Sequence, residues 1–356
     1  MRSSTSEEIS LLMWRVYSMV TYQVTAVDKS YQMRGIGNFY VADSKIAWQQ
    51  VVDSMAPNVL AAEGSWLGRR IKAGLFGVLR RPIWRHLLPV GSAPILSDTY
   101  WDVVFMGNNE KWIAFDFERA RVTRKLSSKA LFHQELWVRR QPAVISISPA
   151  ILEWDEPNLI FTEQYMHGRC IPLYDLDEGL AALRVLWPHL GLVFDTQVFD
   201  KPLELRFEGK CETLLNVLKE AGLDGMPSIL NGQPIRQGLV HGDLKHPNVI
   251  RHDGSLYVID WGEQCFQAPP LFDLLYYLFW HTRAFAPHVV VRQAFRDSAW
   301  IAEGWSTSLT PQTVDASLLI FAQHMIARLK HERSSRRHFR RLVSFLRAAG
   351  EELQRI

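Results

Sequence analysis

The stretch Val240-His241-Gly242-Asp243-Leu244-Lys245-His246-Pro247-Asn248-Val249-Ile250, followed by Val258-Ile259-Asp260-Trp261-Gly262, decides how this chain is read. It sets an Asp and an Asn five residues apart in a tight loop and brings in a second Asp behind an apolar run. Phosphoryl transfer needs little covalent help from protein. It needs a carboxylate near the attacking hydroxyl and oxygen ligands that hold Mg²⁺ on the phosphates. These residue types supply both. Each alone has a plainer explanation: Asp243 as a turn cap, Asp260 as a strand end, His241 as a satisfied buried histidine. Their order and spacing together favour the chemical reading.

Downstream of the loop the chain reads as mainly helical, with periodic segments near Leu271 to His281, Arg292 to Glu303, Pro311 to Lys330 and Arg337 to Leu353. Strand-like runs at Leu239 to His241 and Leu256 to Ile259 are expected to pair, with Asp253-Gly254 as the hairpin turn. Upstream, Tyr100 to Met106 and Lys111 to Phe117 flank Gly107-Asn108-Asn109-Glu110 as a second hairpin, and Arg121 to Leu126 adds a third strand. Ser127 or Ser128 is placed to cap the helix carrying Leu131, Glu135 and Val138. Two more strands, Ile151 to Trp154 and Leu159 to Thr162, meet at the turn Asp155 to Asn158. The expected fold is α+β: a first section over 1–96, partly helical and basic, a small antiparallel β-rich lobe over 97–166, and a larger helical lobe over 167–356 that carries the loop.

The loop residues resemble the aminoglycoside phosphotransferase and choline kinase-like family, which has a two-lobed, protein-kinase-like fold. Its pattern is His-Gly-Asp, an Asn five positions after the Asp, and a later Ile-Asp-Trp or Ile-Asp-Phe, all present here. The resemblance implies that Asp243 orients or deprotonates the acceptor hydroxyl, Asn248 binds one Mg²⁺, and Asp260 bridges metal to phosphates. Lys245 departs from the antibiotic-modifying branch, where His is usual, and matches protein kinases, where Lys approaches the transferred phosphate. Aminoglycosides are therefore not carried over as the substrate. The likeness extends over roughly Tyr100 to Trp280. It implies a phosphate-binding Lys125 in Val122-Thr123-Arg124-Lys125, with Arg124 and Lys129 as neighbouring alternatives, and Glu135 as its ion-pair partner. It also implies a hinge at Thr162 to Gly168, whose backbone at Glu163, Gln164 and Tyr165 binds adenine, and an Asp273 that braces the loop. The phosphate-covering loop falls at Gly107; the earlier Arg34-Gly35-Ile36-Gly37-Asn38 is a second, more distant candidate.

The implied reaction is transfer of the γ-phosphoryl group of ATP, with GTP as the alternative donor, to a hydroxyl of a small molecule or glycan. A nucleotide-binding pseudokinase is the second reading, and protein kinase activity a third. The third is disfavoured because no Ala-Pro-Glu segment follows Asp260, and little chain separates it from Asp273.

Composition narrows the remaining classes. Of 356 residues 47% are hydrophobic, enough for a two-lobed domain. A formal charge of +3 gives no indication of nucleic-acid binding. Cys170, Cys211 and Cys265 lack CxxC pairing, and the 12 histidines lack HExxH spacing, which argues against disulfide frameworks and zinc hydrolases. The N-terminal residues lack a signal-type apolar core and no run is long enough to span a bilayer, so a cytoplasmic setting is expected. Arg69, Arg70, Lys72, Arg80, Arg81 and Arg85 interleave with Trp66, Phe76 and Trp84, which reads either as a solvated helix face or as a helix resting on anionic membrane at its inner face. Arg333, Arg336, Arg337, Arg340 and Arg341 read as a solvated helical surface, with an anionic acceptor or partner as the alternative.

Overall fold

A computed structural model describes residues 33–36, 39–42, 90–91, 103–106, 112–202, 211–230, 232–262, 266–297, 299–303, 309–329 and 335–353. The chain divides into two units, Met1–His133 with Pro149–Arg169, and Gln134–Ser148 with Cys170–Ile356.

In the first unit, β1 (Met33–Ile36), β2 (Phe39–Ala42), β3 (Val90–Gly91), β4 (Val103–Met106), β5 (Trp112–Asp116), β6 (Arg121–Lys125), β7 (Ile151–Asp155) and β8 (Ile160–Gln164) form one sheet in the order β3-β1-β2-β4-β5-β6-β8-β7. Every pairing in it is antiparallel. The expected hairpin is present, with Met106 opposite Trp112. The division at residue 96 needs correcting: β1 to β3 belong to the same sheet as β4 to β8, because β2 supplies the ladder partner of β4. Both faces carry buried apolar side chains, Trp112 and Ala114 on one and Val122 and Phe161 on the other. Phe161 stacks on Phe132, in the first turn of α1 (Lys129–Arg139), with ring centroids 4.4 Å apart. Ser128 caps α1 as anticipated, accepting from the Leu131 N–H at 3.3 Å. At the β7–β8 turn the Asp155 carboxylate accepts from the Asn158 N–H at 3.2 Å.

The second unit begins within α1 and α2 (Pro142–Ile145). The short strand β9 (Arg169–Cys170) straddles the division and leads to α3 (Leu176–Asp195), whose Asp175 cap accepts from the Glu178 N–H at 2.9 Å. Then follow β10 (Phe199–Pro202), α4 (Cys211–Ala221), α5 (Met226–Leu230), β11 (Pro234–Val240), β12 (Val249–His252), β13 (Ser255–Val258) and β14 (Phe266–Ala268). The helices α6 (Phe272–His281), α7 (Pro287–Phe295), α8 (Ala299–Glu303), α9 (Pro311–Leu329) and α10 (Ser335–Leu353) complete it. The predicted Asp-Gly turn is real, with φ of 47° at Asp253 and 78° at Gly254, the pairing a tight hairpin needs. Its strands are β12 and β13, however, while the run at Leu239 pairs with β14. The single helix expected over Arg292 to Glu303 is two, α7 and α8. Arg336, Arg337 and Arg340 are exposed, but Arg341 lies over the Phe279 ring at 5.4 Å, so part of the expected solvated face is packed. The basic Arg69 to Arg85 stretch, Gly107 and Arg333 fall outside the described residues. No helix of the described residues is long and apolar enough to cross a membrane.

The core of this unit is aromatic and encloses the imidazoles of His241, His246 and His281. His281 is fully buried and His246 nearly so, their rings 6.2 Å apart. Gly179 of α3 makes room for His281: a Cβ there would lie 2.6 Å from its Cε1. Burial pushes the pKa of His246 down to about 3, helped by His281 and Lys245, and burial pushes that of His281 down to about 4. Both rings are neutral in the fold, whereas an unfolded imidazole takes a proton near pH ~6.5. Below that pH the unfolded chain binds more protons, so stability is lost as pH falls. The steepest possible contribution is about 1.4 kcal/mol per pH unit for each ring. Replacing His281 with Phe should therefore flatten the decline in thermal midpoint between roughly pH 6.5 and 4.5. An unchanged slope in His281→Phe would refute the neutral buried imidazole as its cause.

Candidate active site

Residues 241–248 form a loop between the ends of β11 and β12, closed by a single 3₁₀ turn at His246–Asn248 with Pro247 in its first turn. Its anchor is Asp273, in the first turn of α6. One carboxylate oxygen accepts the His241 N–H at 2.8 Å and the other the Gly242 N–H at 2.9 Å. Gly242 adopts φ 76°, a conformation glycine enters without a Cβ penalty. Asp273 is buried, and burial pushes its carboxyl above the ordinary value, opposed in part by the two N–H donors.

The His241 ring completes the fastening. Its Nδ1 accepts from the Asp243 N–H at 3.2 Å, so the proton sits on Nε2, which donates to the Ile259 carbonyl at 3.0 Å. The Ile259 N–H in turn donates to the Asn248 carbonyl at 2.9 Å, and the Asn248 N–H to the Lys245 carbonyl at 2.9 Å. The loop and the segment carrying Asp260 are thus one hydrogen-bonded frame. Asp260 is exposed and adopts φ 66°, in the left-handed region that Asp enters more readily than most non-glycine residues. Trp261 is buried beside His241, with centroids 4.6 Å apart, and donates to the Val258 carbonyl at 2.9 Å.

Asp243 lies at the centre of this frame, buried with both carboxylate oxygens engaged. Lys245 Nζ donates to Oδ2 at 2.6 Å and Asn248 Nδ2 approaches the same oxygen at 3.4 Å. Tyr276 Oη donates to Oδ1 at 2.6 Å and Arg328 lies 3.0 Å from Oδ1. Burial works to raise the Asp243 pKa, but Lys245 and Arg328 outweigh it and hold the carboxyl below its usual range. Burial and the Asp243 charge push Tyr276 upward, so its hydroxyl remains a donor. Asn248 Nδ2 also donates to the Asp243 carbonyl at 3.0 Å, which leaves the amide oxygen as the acceptor end of that side chain.

Asp243, Lys245 and Asn248 are therefore brought together as expected, with Asp260 on the adjoining strand end and Asp273 beneath. Tyr276 and Arg328 were missed. The only signal for them is helical phase: Tyr276 lies three residues beyond Asp273 on α6, and Arg328 is a cation in an otherwise largely apolar stretch of α9. Glu135 is buried in the second unit, where a Cβ at Gly262 would approach its Oε2 to 2.5 Å. Lys125, at the end of β6, belongs to the first unit. So do Glu163, Gln164 and Tyr165. There the Glu163 carboxylate pairs with Arg124 at 3.2 Å, while the Gln164 and Tyr165 N–H groups donate to Ala150 and Ala120 carbonyls at 2.9 and 2.8 Å.

Residues 145–307, which hold the whole loop, match the phosphotransferase enzyme family, so the resemblance carried by the sequence is borne out over that segment. Among solved structures, choline kinase LicA from Streptococcus pneumoniae is 14% identical, with 68% of this chain and 90% of that one covered and a TM-score of 0.44. A choline/ethanolamine kinase family protein from Mesorhizobium loti is 16% identical over 68% and 91%, with a TM-score of 0.42. A thermostable mutant of aminoglycoside phosphotransferase APH(4)-Ia is 16% identical over 68% and 92%, with a TM-score of 0.47. No curated protein matches the chain.

Asp273→Ala should strand the buried His241 and Gly242 N–H groups. Each unsatisfied group costs about 1–3 kcal/mol, so the urea midpoint should fall by the equivalent of at least ~2 kcal/mol. A midpoint within about 0.5 kcal/mol of wild type would mean that Asp273 is not the anchor of the loop.

Proposed function

We propose that this chain is a phosphotransferase that moves the γ-phosphoryl group of ATP to a hydroxyl of a small-molecule or glycan acceptor. The observation that carries this reading is the Asp243–Lys245–Asn248 cluster, fixed by backbone hydrogen bonds to the segment bearing Asp260. Asp243 accepts the acceptor's proton as the acceptor oxygen bonds to γ-phosphorus. The bond from that phosphorus to its bridging oxygen breaks, and ADP leaves with the electron pair. Lys245, at Asp243 Oδ2, is placed to follow the transferred phosphoryl group and neutralise its charge.

The donor set suits Mg²⁺. The Asn248 amide oxygen and the Asp260 carboxylate are hard oxygen ligands, and Mg²⁺ characteristically takes one or two such groups and completes its octahedron with phosphates and water. When bound it would polarise the phosphates and offset their charge. In the first unit, Lys125 is assigned to the phosphates and the backbone from Glu163 to Tyr165 to adenine. With the Gln164 and Tyr165 N–H groups engaged by Ala150 and Ala120, that recognition falls to the other backbone groups of the segment. Glu135 is assigned as partner of Lys125, and the Gly107 turn as the phosphate cover. GTP is the alternative donor. The basic stretch around Arg69 supports peripheral contact with anionic membrane.

Thermal unfolding with ATP or GTP, with and without Mg²⁺, tests the donor site. Ligand at about a hundred times its dissociation constant should stabilise wild type by roughly 2.7 kcal/mol. Asp260→Asn should lose the metal-dependent part. Asp243→Asn should keep nucleotide stabilisation while ADP release, to any acceptor or to water, drops by roughly a hundredfold or more. Stabilisation by nucleotide without any ADP release from wild type would instead identify a pseudokinase. Reversing Arg69, Arg70 and Lys72 to Glu should abolish sedimentation with phosphatidylserine vesicles; unchanged partitioning would remove the membrane assignment.

A further inference from the structure

The environment of Asp243 on the α9 side is not explained by proton transfer or by metal binding. Arg328 comes from that helix and places NH2 3.0 Å from Asp243 Oδ1. Its other terminal nitrogen, NH1, is buried and has no hydrogen-bond partner among the described residues. One turn earlier on the same helix, His324 Nε2 is likewise buried and unpartnered. Its ring packs between Phe272 and Tyr276, at 5.2 and 5.9 Å. Buried polar atoms without partners call for an explanation, and these two lie one turn apart on the helix that reaches Asp243. A guanidinium serving only as counterion to Asp243 would be redundant, because Lys245 already pairs with that carboxylate at 2.6 Å. It would also leave NH1 unexplained. Two cations meet on the Asp243 carboxylate, and the second nitrogen of the Arg328 fork, engaged by none of the described residues, has the geometry to take a further anion.

The occupancy of Asp243 leads to the same place. Oδ1 receives Tyr276 and Arg328, and Oδ2 receives Lys245 and Asn248. An acceptor hydroxyl can hydrogen-bond to this carboxylate only if one of these donors turns aside. On the phosphotransferase reading, on which this inference rests, Lys245 is drawn to the nucleotide. Arg328 needs a second anion to engage it, and that anion must lie beside the reacting hydroxyl.

We infer that Arg328 is the acceptor-recognising residue, and that the acceptor is an anionic hydroxyl compound carrying a carboxylate or phosphate close to the hydroxyl that is phosphorylated. The guanidinium fork binds the anion through NH1, with His324 Nε2 adjacent, and Tyr276 and Trp280 form an aromatic wall. Arg328 lies 5.6 Å from the Tyr276 ring and Lys245 5.3 Å from that of Trp280. Choline-like or polyamine-like acceptors, being cationic, meet like charge here and are disfavoured.

Inorganic phosphate is the probe. The protein is first loaded with Mg²⁺ and AMP-PNP, so that the nucleotide's own phosphate positions are filled, and loading is verified by thermal shift. Phosphate is then titrated calorimetrically at constant ionic strength, with chloride as the control. Wild type should bind phosphate and not chloride, and Arg328→Gln should weaken binding by roughly tenfold or more. Arg328→Lys, which keeps the charge but loses the fork, should fall between the two and serves if the Gln variant does not fold. Equal binding in wild type and variant, or none to the loaded wild type, overturns the anionic-acceptor inference and leaves the phosphotransferase reading intact. Failure of AMP-PNP to stabilise wild type overturns that reading, and the inference falls with it.

Discussion

The two hydrogen bonds from His241 and Gly242 N–H to the Asp273 carboxylate are the constraint on which the rest of the site depends. They join the first turn of α6 to the end of β11, and they fix Gly242 in a conformation that turns the chain sharply toward Asp243. From there the restraint passes through the His241 ring to Ile259, from Ile259 to Asn248, and from Asn248 to Lys245 and Asp243. Every side chain that takes part in the proposed chemistry of the second unit is within one or two bonds of that path. A frame of backbone hydrogen bonds is well suited to phosphoryl transfer, because the reaction gains most from groups held in place before the charge moves.

The frame also reconciles two opposed demands on Asp243. Burial alone would neutralise the carboxyl, and a neutral acid cannot accept a proton. Lys245, Arg328 and Tyr276 keep it ionised, but the same contacts occupy its oxygens. The carboxylate is charged yet capped, so it becomes available only as its cationic partners find other anions. Water, which brings no anion, is the poorest candidate to uncap it. On the proposed phosphotransferase reading, such an arrangement would suppress wasteful hydrolysis of the nucleotide by the same contacts that keep Asp243 charged.

Much of this was legible in the sequence because it is local. The loop motif places Asp243, Lys245 and Asn248 within six residues, the Asp253-Gly254 turn dictates its own geometry, and Ser128 caps the helix it precedes. What failed was pairing at a distance. The Leu239 run and the Leu256 run are both convincing strands, but a two-residue turn can join only its immediate neighbours, and β12 stood between them. The first section was set apart on composition, whereas the β2–β4 ladder is made of backbone groups and leaves no compositional trace. Arg341 shows the same limit: a cation in a basic run, it covers an aromatic ring that lies 62 positions earlier. Tyr276 and Arg328 stayed hidden because their phase along α6 and α9 means nothing until both helices are packed against the loop.

That division between local and distant contacts has a functional counterpart. Residues 145–307, the segment that matches the phosphotransferase family, contain the loop, its Asp273 anchor and Tyr276. Arg328 and His324 lie on α9, beyond that segment. On the proposed reading, the groups for proton transfer and metal binding are supplied by a compact motif that a family can share, and a second cation beside Asp243, after Lys245, comes from a helix outside it. If the acceptor's identity were set within the loop, any change of substrate would disturb the hydrogen-bonded frame that holds Asp243. Placing recognition on α9 leaves that frame untouched. Lys245 fits the same logic, since its side chain reaches Asp243 while its backbone carbonyl serves the frame through Asn248, so exchanging the side chain at this position need not move the chain. On the proposed reading, the backbone frame holds the chemistry and the side chains that reach Asp243 set the selectivity.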